Sequence, residues 1–135
     1  MGTSTKEAEA LVDTYLTLFM EGRIREAEAM LAPDAVLIFP GGAHQTSLVE
    51  VADEVNRLYG TVGKTITRTW SAQVGDDVIV TTTGYLFGVS RTYGGFSDVR
   101  FIDFFTVRDG LIVAQEVIND AAQVGVVEPY SRKQA

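Results

Sequence analysis

The sequence predicts an α+β fold in which three N-terminal helices pack in a strongly curved antiparallel sheet. Apolar residues recur at helical spacing through most of the first sixty residues, and from Thr65 onward their period changes to two. The long period-two segments are separated by short turns rich in glycine and aspartate, which connect antiparallel neighbours. Helices followed by long strands are typical of α+β domains whose helices cover one face of a sheet.

The first helix is predicted from an apolar stripe that runs from Ala8 to Phe19. Gly22 follows as a stop, since glycine is common just beyond the last helical residue. A second, shorter helix is expected over residues 24–31. Pro33 ends it, because proline disfavours helical geometry in the residue before it.

A short strand and a third helix are expected next. Ala35–Phe39 is a run rich in strand formers, and Pro40 interrupts it. The third helix begins at Ser47, where Glu50 three residues later fits a capping box. Gly60 closes this helix.

Four long strands complete the predicted fold. Their expected ranges are Thr65–Val74, Val78–Ser90, Phe96–Arg108 and Leu111–Asp120. Gly84 and Gly88 lie inside the second of them, where glycine permits a sheet to bend. We therefore expect one domain over residues 1–135, with a sheet that wraps the helices as a cone open at one end.

Composition and charge exclude several classes of function. The net charge is −7 and no cluster of basic residues is longer than Arg132-Lys133, so nucleic acids and anionic membranes are poor partners. The chain has no cysteine, which excludes disulfides, thiolate catalysis and thiolate metal sites. No segment has the length and apolarity of a membrane span and no signal peptide is recognisable, so a cytoplasmic location is expected.

An aspartate interrupts the apolar run of the third long strand. Asp103 lies within Phe101–Phe105, where burial penalises a carboxylate, so this carboxyl group needs a partner or stays protonated. Tyr15 lies on the apolar stripe of the first helix. A protonated carboxyl and a phenol that face one cavity supply two hydrogen-bond donors, as an enolate-forming site requires. The alternative is a structural aspartate, held ionised by a backbone amide or by an arginine such as Arg100.

Three segments of the chain resemble a known family. They are Val12–Leu16 in the first helix, Leu31–Val36 at the entry to the first strand, and Ile102–Phe105 around the embedded aspartate. Together with the element order, these segments resemble the ketosteroid isomerase and SnoaL-like branch of the NTF2-like superfamily. The resemblance implies an NTF2-like cone with Tyr15 and a protonated Asp103 as oxyanion donors. It also implies that Tyr59 supports their hydrogen-bond network.

The chain departs from the isomerases at their catalytic base. In those enzymes an aspartate immediately precedes the proline that ends the first strand, whereas here Phe39 precedes Pro40. His44 is the only histidine and follows in the next loop, near the expected open end of the cone. It can serve as a replacement base or acid, as histidine often does in enzymes. A solvated loop histidine is the alternative, and Asp120 is a second candidate for moving the proton.

The last strand adds candidate ligand-binding residues. Gln115 and Asn119 share one face, while Glu116 and Asp120 share the other. Analogy with the family places the first pair inward, where polar groups orient a ligand in an apolar pocket. The other expected lining residues are aromatic: Phe39, Tyr59, Trp70 and Phe101.

These residues lead to two main hypotheses. The first is an enzyme without cofactor or metal that stabilises an enolate-like intermediate of an apolar carbonyl- or phenol-bearing substrate, as an isomerase, cyclase, dehydratase or lyase does. The second is a small-molecule binding protein without catalysis, favoured by Phe39 at the usual base position. A protein-interaction domain, as in nuclear transport members of the superfamily, is a third possibility. A homodimer formed through the outer face of the sheet is expected.

Overall fold

The computed structural model describes residues 2–129, which form three helices and one six-stranded sheet. The helices are α1 (Thr5–Met20), α2 (Ile24–Glu28) and α3 (Leu48–Leu58). The strands are β1 (Leu31–Phe39), β2 (Ala43–Gln45), β3 (Tyr59–Val74), β4 (Asp77–Ser90), β5 (Gly94–Arg108) and β6 (Leu111–Asn119). Their order across the sheet is β2-β1-β6-β5-β4-β3, so the four long strands form the predicted meander.

The sheet is mixed, and the prediction of an antiparallel sheet was wrong at one pair of strands. β1 and β6 run parallel, with Leu37 opposite Gln115, whereas the other neighbouring strands are antiparallel. Hairpin turns fix the direction of strands that follow each other closely. No such turn joins β1 to β6, and a period-two pattern does not specify the direction of a distant partner.

Only α1 is a long helix, so the predicted set of three N-terminal helices is present in part. α2 has five residues and α3 follows two strands instead of preceding the sheet. Pro33 lies inside β1, not beyond the end of a helix. It occupies the irregular stretch between Leu31 and Val36 where the register with β6 shifts, and such stretches accept proline because no ladder hydrogen bond is required there.

The N-termini of α1 and α3 are each capped by a serine. Ser47 accepts a hydrogen bond from the Glu50 amide, as predicted, but the Glu50 carboxylate binds Thr46 rather than returning to Ser47. The complete capping box is at the start of α1, between Ser4 and Glu7.

The bends of the sheet lie at glycines of β4. A Cβ on Gly84 would lie 1.8 Å from the backbone oxygen of Thr65, so the two strands approach too closely for any side chain. Gly88 has a φ of 149° and faces the same kind of contact with Thr61. The register of β4 with its neighbours shifts beside both positions, as expected where a sheet curves.

Buried side chains lie on the concave face of the sheet, in two groups. The first packs α1 against the ends of β4, β5 and β6, around Tyr15 and Phe105. The second surrounds Phe101 and includes Val126 and Val127 from residues 120–129, which fold back over the sheet. Buried and exposed residues alternate along β5, and the buried ones face the concave side. Asp103 is the charged residue among these buried, apolar neighbours.

The convex face of the sheet exposes large apolar side chains. They come from all four long strands: Trp70, Tyr85, Phe87, Ile102, Phe104 and Ile118. Contiguous exposed apolar surface of this kind is typical of an interaction site, and pairing with a second copy through it stays a prediction. Within residues 2–129, no helix combines the length and the apolarity needed to cross a bilayer.

Replacing Gly84 by alanine tests the close approach of β3 and β4. We expect Gly84→Ala to lower the free energy of unfolding by about 3 kcal/mol or more, because the added methyl meets backbone and not a movable side chain. Gly60→Ala is the matched control, since the nearest atom to its Cβ would be 3.7 Å away. Urea unfolding measures both, and equal losses in the two variants would contradict the assigned geometry.

Candidate active site

A cavity of about 570 Å³ lies between α1, α3 and the concave face of the sheet. This volume is within the range of roughly 300–1,000 Å³ that is usual for small-molecule sites. The lining residues Tyr15 and Gln115 are buried and mark the inner end, whereas Arg57 and Glu128 are exposed and mark the mouth. Apolar side chains form most of the wall: Leu16, Phe19, Met20, Phe39, Leu48, Val51, Val55, Leu58, Val62, Leu86, Phe101, Val117 and Val127.

Tyr15 and Gln115 form a hydrogen-bonded pair at the inner end. The phenol of Tyr15 donates to Oε1 of Gln115 at 2.7 Å, and its ring packs edge-to-face on Phe105. Burial raises the pKa of Tyr15 well above its ordinary value, and the charge of Asp103 raises it further. The phenol is therefore a neutral donor whose hydrogen is held by Gln115. The amide nitrogen of Gln115 has no protein acceptor within residues 2–129, so its N–H groups are free for a ligand.

Asp103 is completely buried and bound to Lys64. The ammonium of Lys64 donates to Oδ2 of Asp103, while Oδ1 has no partner in the described part of the chain. Arg100, the partner suggested by the sequence, instead binds Asp120 at 2.6 Å. Asp103 therefore accepts a hydrogen bond from Lys64 rather than donating one into the cavity, and its side chain is not part of the cavity wall.

The ion pair crosses a strand. Lys64 belongs to β3 and Asp103 to β5, and β4 lies between them. Lys64 is opposite Leu86 and Asp103 is opposite Thr82, with Gly84 between these two positions of β4. Because glycine has no side chain, the lysine can reach over β4 to the carboxylate.

Lys64 is the functional residue that the sequence prediction missed. It lines the cavity, its side chain is 17% exposed, and its ammonium is 4.8 Å from the centre of the Phe101 ring. β3, the first of the four long strands, begins at Tyr59, whereas the prediction began it at Thr65, one residue after the lysine. A buried acid in an apolar strand requires a cation, and that requirement was the available signal.

The two pairs converge on one region of the concave face, which we call the inner polar patch: Tyr15, Lys64, Asp103 and Gln115. Gln115 lies opposite Phe105, and Asp103 lies opposite Val117, two residues further along β6. Gln115 and Asp103 are therefore diagonal neighbours on the concave face, which brings the Tyr15–Gln115 pair close to the Lys64–Asp103 pair.

Most of the predicted lining residues line the cavity, and Trp70 does not. Phe39, Tyr59, Phe101, Gln115 and Asn119 are all part of its wall, so the last strand has the inward register suggested by analogy. The predicted support of Tyr15 by Tyr59 is absent from the hydrogen bonds of residues 2–129, where the Tyr59 ring packs near Phe96.

Trp70 is half exposed on the convex face, near the guanidinium of Arg68. It pairs with Thr81, whereas the next residue of β4, Thr82, points into the concave face. Trp70 therefore does not line the cavity, because a register shift between Ile66 and Arg68 changes which residues of β3 point inward.

Neither predicted proton-transfer residue reaches the cavity. His44 is exposed in β2, and its neighbours Ala43 and Gln45 line the cavity, so alternation points the imidazole away. Asp120 is held by Arg100 and is not part of the wall.

Two carboxylates line the cavity near its mouth, and each has a partner. Glu54 binds Arg57 at 2.7 Å, and this bond lowers the pKa of Glu54. Glu128 accepts a hydrogen bond from the phenol of Tyr93. In the described part of the chain no three acidic or histidine side chains gather in the way that a metal ion requires.

The family of the chain follows from a domain comparison. The model of the SnoaL-like domain matches residues 12–115 of this 135-residue chain. The chain belongs to the SnoaL-like family. The match covers in full all three segments on which the sequence resemblance rested, and it confirms that resemblance. A comparison with curated protein sequences finds no match.

Solved structures share the NTF2-like fold. An NTF2-like protein of unknown function from Burkholderia pseudomallei is 16% identical with a TM-score of 0.72, over 91% of this chain and 98% of that one. A ketosteroid isomerase-like protein from Erwinia carotovora atroseptica is 20% identical with a TM-score of 0.67, over 85% and 95%. TerC, crystallised with polyporic acid, is 20% identical with a TM-score of 0.68, over 90% and 96%. At these identities the likeness shows the fold alone.

A single and a double variant test the buried ion pair. Lys64→Met leaves the Asp103 carboxylate buried without a counter-ion, so we expect the free energy of unfolding to fall by about 3–5 kcal/mol. Lys64→Met combined with Asp103→Leu removes both charges and is expected to lie close to the wild type. Arg23→Met, which breaks an exposed pair with Glu26, is the control. Urea unfolding at pH 7 measures the free energy of unfolding of these variants. If Lys64→Met loses no more than Arg23→Met does, the buried ion pair is contradicted.

The raised pKa of Tyr15 predicts a specific loss of stability in alkali. The unfolded tyrosine ionises near pH 10 and the folded one only above it, so the stabilisation is complete below pH 10 and is lost as the pH rises. We expect Tyr15→Phe to reduce the fall in unfolding free energy between about pH 9 and about pH 11. Tyr85→Phe, changed at an exposed tyrosine, is the control. A pH dependence that is unaltered in Tyr15→Phe would refute the assignment.

Proposed function

We propose that the cavity is the active site of a cofactor-independent enzyme that stabilises an enolate-like oxygen on an apolar carbonyl- or phenol-bearing substrate. The observation that carries this proposal is the inner polar patch at the end of an apolar cavity. Two donors of the patch are free to meet a ligand oxygen. They are the remaining N–H groups of the Lys64 ammonium and the amide nitrogen of Gln115.

The proposed chemistry uses the charge of Lys64. Negative charge develops on the oxygen of a carbonyl compound when it becomes an enolate. An ammonium held beside that oxygen, away from water, stabilises the charge more strongly than it would in solution. Asp103 is a positioning residue, because it fixes the ammonium and balances its charge while the site is empty. Tyr15 holds Gln115 so that the amide N–H groups, not the carbonyl oxygen, face the ligand.

The wall of the cavity supports an apolar substrate. Beyond the inner polar patch, a ligand would contact aliphatic and aromatic side chains from α1, α3 and β5, including Phe19, Val55 and Phe101. Isomerisation, cyclisation and dehydration each pass through an enolate-like state, so this arrangement suits all three. Membership of the SnoaL-like family supports such chemistry, and TerC was crystallised with a small organic acid.

One observation favours a binding protein as the second candidate. Phe39 lines the cavity at the position that the isomerase base occupies, and the carboxylates near the mouth are engaged by Arg57 and Tyr93. A wall without a free base binds a ligand and leaves its protons in place.

Binding of planar phenols tests the proposed oxyanion site. A phenol presents an oxygen on an apolar ring, and its absorbance changes when a bound phenolate forms. We expect the double variant Lys64→Met/Asp103→Leu and the variant Gln115→Leu each to lose roughly 10- to 100-fold in affinity, since each loses a donor to a charged oxygen. Lys6→Met, changed at an exposed lysine, is the control.

The titration has three readable outcomes. Loss of affinity in both cavity variants, with the control unchanged, supports the oxyanion site. If binding is saturable and its affinity is the same in both cavity variants as in the wild type, the apolar wall alone binds the phenol. That outcome favours the binding protein. Absence of binding in the wild type contradicts the proposal.

A further inference from the structure

The amine of Lys64 is a nucleophile that the proposed function uses only as a hydrogen-bond donor. The chain contains three lysines, Lys6, Lys64 and Lys133. Lys6 is exposed on α1, whereas Lys64 lines the cavity and binds a carboxylate that no solvent reaches. A lysine amine at the inner end of an apolar cavity can attack a carbonyl carbon, and here an acid beside it can accept its proton.

We propose that Lys64 forms an iminium with the carbonyl carbon of an aldehyde or ketone that enters the cavity. The substrate class is thereby narrowed to unhindered aldehydes and ketones, while phenols bind without reaction. The inference rests on the proposed function, because the carbonyl group must first lie at the inner polar patch.

Asp103 supplies the proton acceptor for this step. The ammonium of Lys64 already donates to Oδ2, so transfer along that bond gives a neutral amine and a neutral carboxyl group. The amine then attacks the carbonyl carbon, and the proton on nitrogen moves to the oxygen to give a carbinolamine.

Loss of water completes the reaction and restores the charge pair. The carbinolamine hydroxyl leaves as water with the proton from Asp103, and a carbon–nitrogen double bond forms. In sum, one ammonium and one carbonyl group give one iminium and one water, with a single positive charge on each side. The iminium nitrogen retains that charge beside Oδ2, so the buried carboxylate keeps a counter-ion throughout.

Gln115 has a defined part in the same step. Its free amide N–H groups lie at the inner polar patch, where they can hold the carbonyl oxygen while its carbon is attacked. Tyr15 keeps the amide in that orientation, because its phenol occupies Oε1.

Reductive trapping tests the inference. The protein is incubated with benzaldehyde and sodium cyanoborohydride, digested, and mapped by mass spectrometry. We expect the reduced benzyl adduct on Lys64 to form faster than on the exposed Lys6, and an added phenol to suppress the label on Lys64 alone. If Lys64 is labelled no faster than Lys6, or if added phenol does not reduce the labelling of Lys64, the inference is wrong.

Two variants and a parallel titration separate the inference from the proposed function. Lys64→Arg keeps a cation for Asp103 but has no primary amine to form an iminium, so we expect it to lose the adduct. If its thermal unfolding shows that it does not fold, Lys64→Met/Asp103→Leu replaces it for the loss of adduct. If the wild type binds phenol but Lys64 is not labelled, the inference of an iminium is wrong and the proposed function is still supported. Absence of both phenol binding and label overturns the two together.

Discussion

The buried ion pair of Lys64 and Asp103 is the interaction on which the rest of this structure depends. A carboxylate with no solvent contact requires a cation, and the cation comes from a strand that is not its neighbour. The lysine reaches it across β4 at Gly84, the same residue at which β3 and β4 approach most closely. The curvature of the sheet and the charge at the inner end of the cavity are therefore two consequences of one arrangement.

In the proposed function, this arrangement separates binding from chemistry within one cavity. The walls offer apolar contact to a ligand, and the polar groups are confined to the inner polar patch. Because Asp103 balances the charge of Lys64, the empty site carries no unpaired charge in an apolar environment. The hydrogen bond from Tyr15 has a similar effect on Gln115, since it directs the amide N–H groups toward the ligand. Both donors are fixed before a substrate arrives, which is the condition for effective stabilisation of a developing oxyanion.

The sequence predicted what local periodicity determines and missed what depends on distant pairing. Tyr15 faces the cavity because helical spacing places it on the apolar stripe, and Gln115 lies on the inward face of β6. Lys64 was missed because the two glycines near it resemble the end of a helix, although β3 already begins at Tyr59. The orientation of Trp70 depends on one extra residue in β3, which no alternation pattern reveals. The parallel pairing of β1 with β6 depends equally on contacts between distant parts of the chain.

We propose that the cavity recognises a ligand oxygen through a lysine that is held by a buried aspartate. A crystal structure of the protein with a bound planar phenol tests this directly. The account predicts that the phenol oxygen lies within hydrogen-bond distance of Lys64 Nζ and Gln115 Nε2, while Lys64 still contacts Oδ2 of Asp103. A phenol oxygen that points to the mouth of the cavity, near Glu128, would contradict it. So would a lysine that has left Asp103.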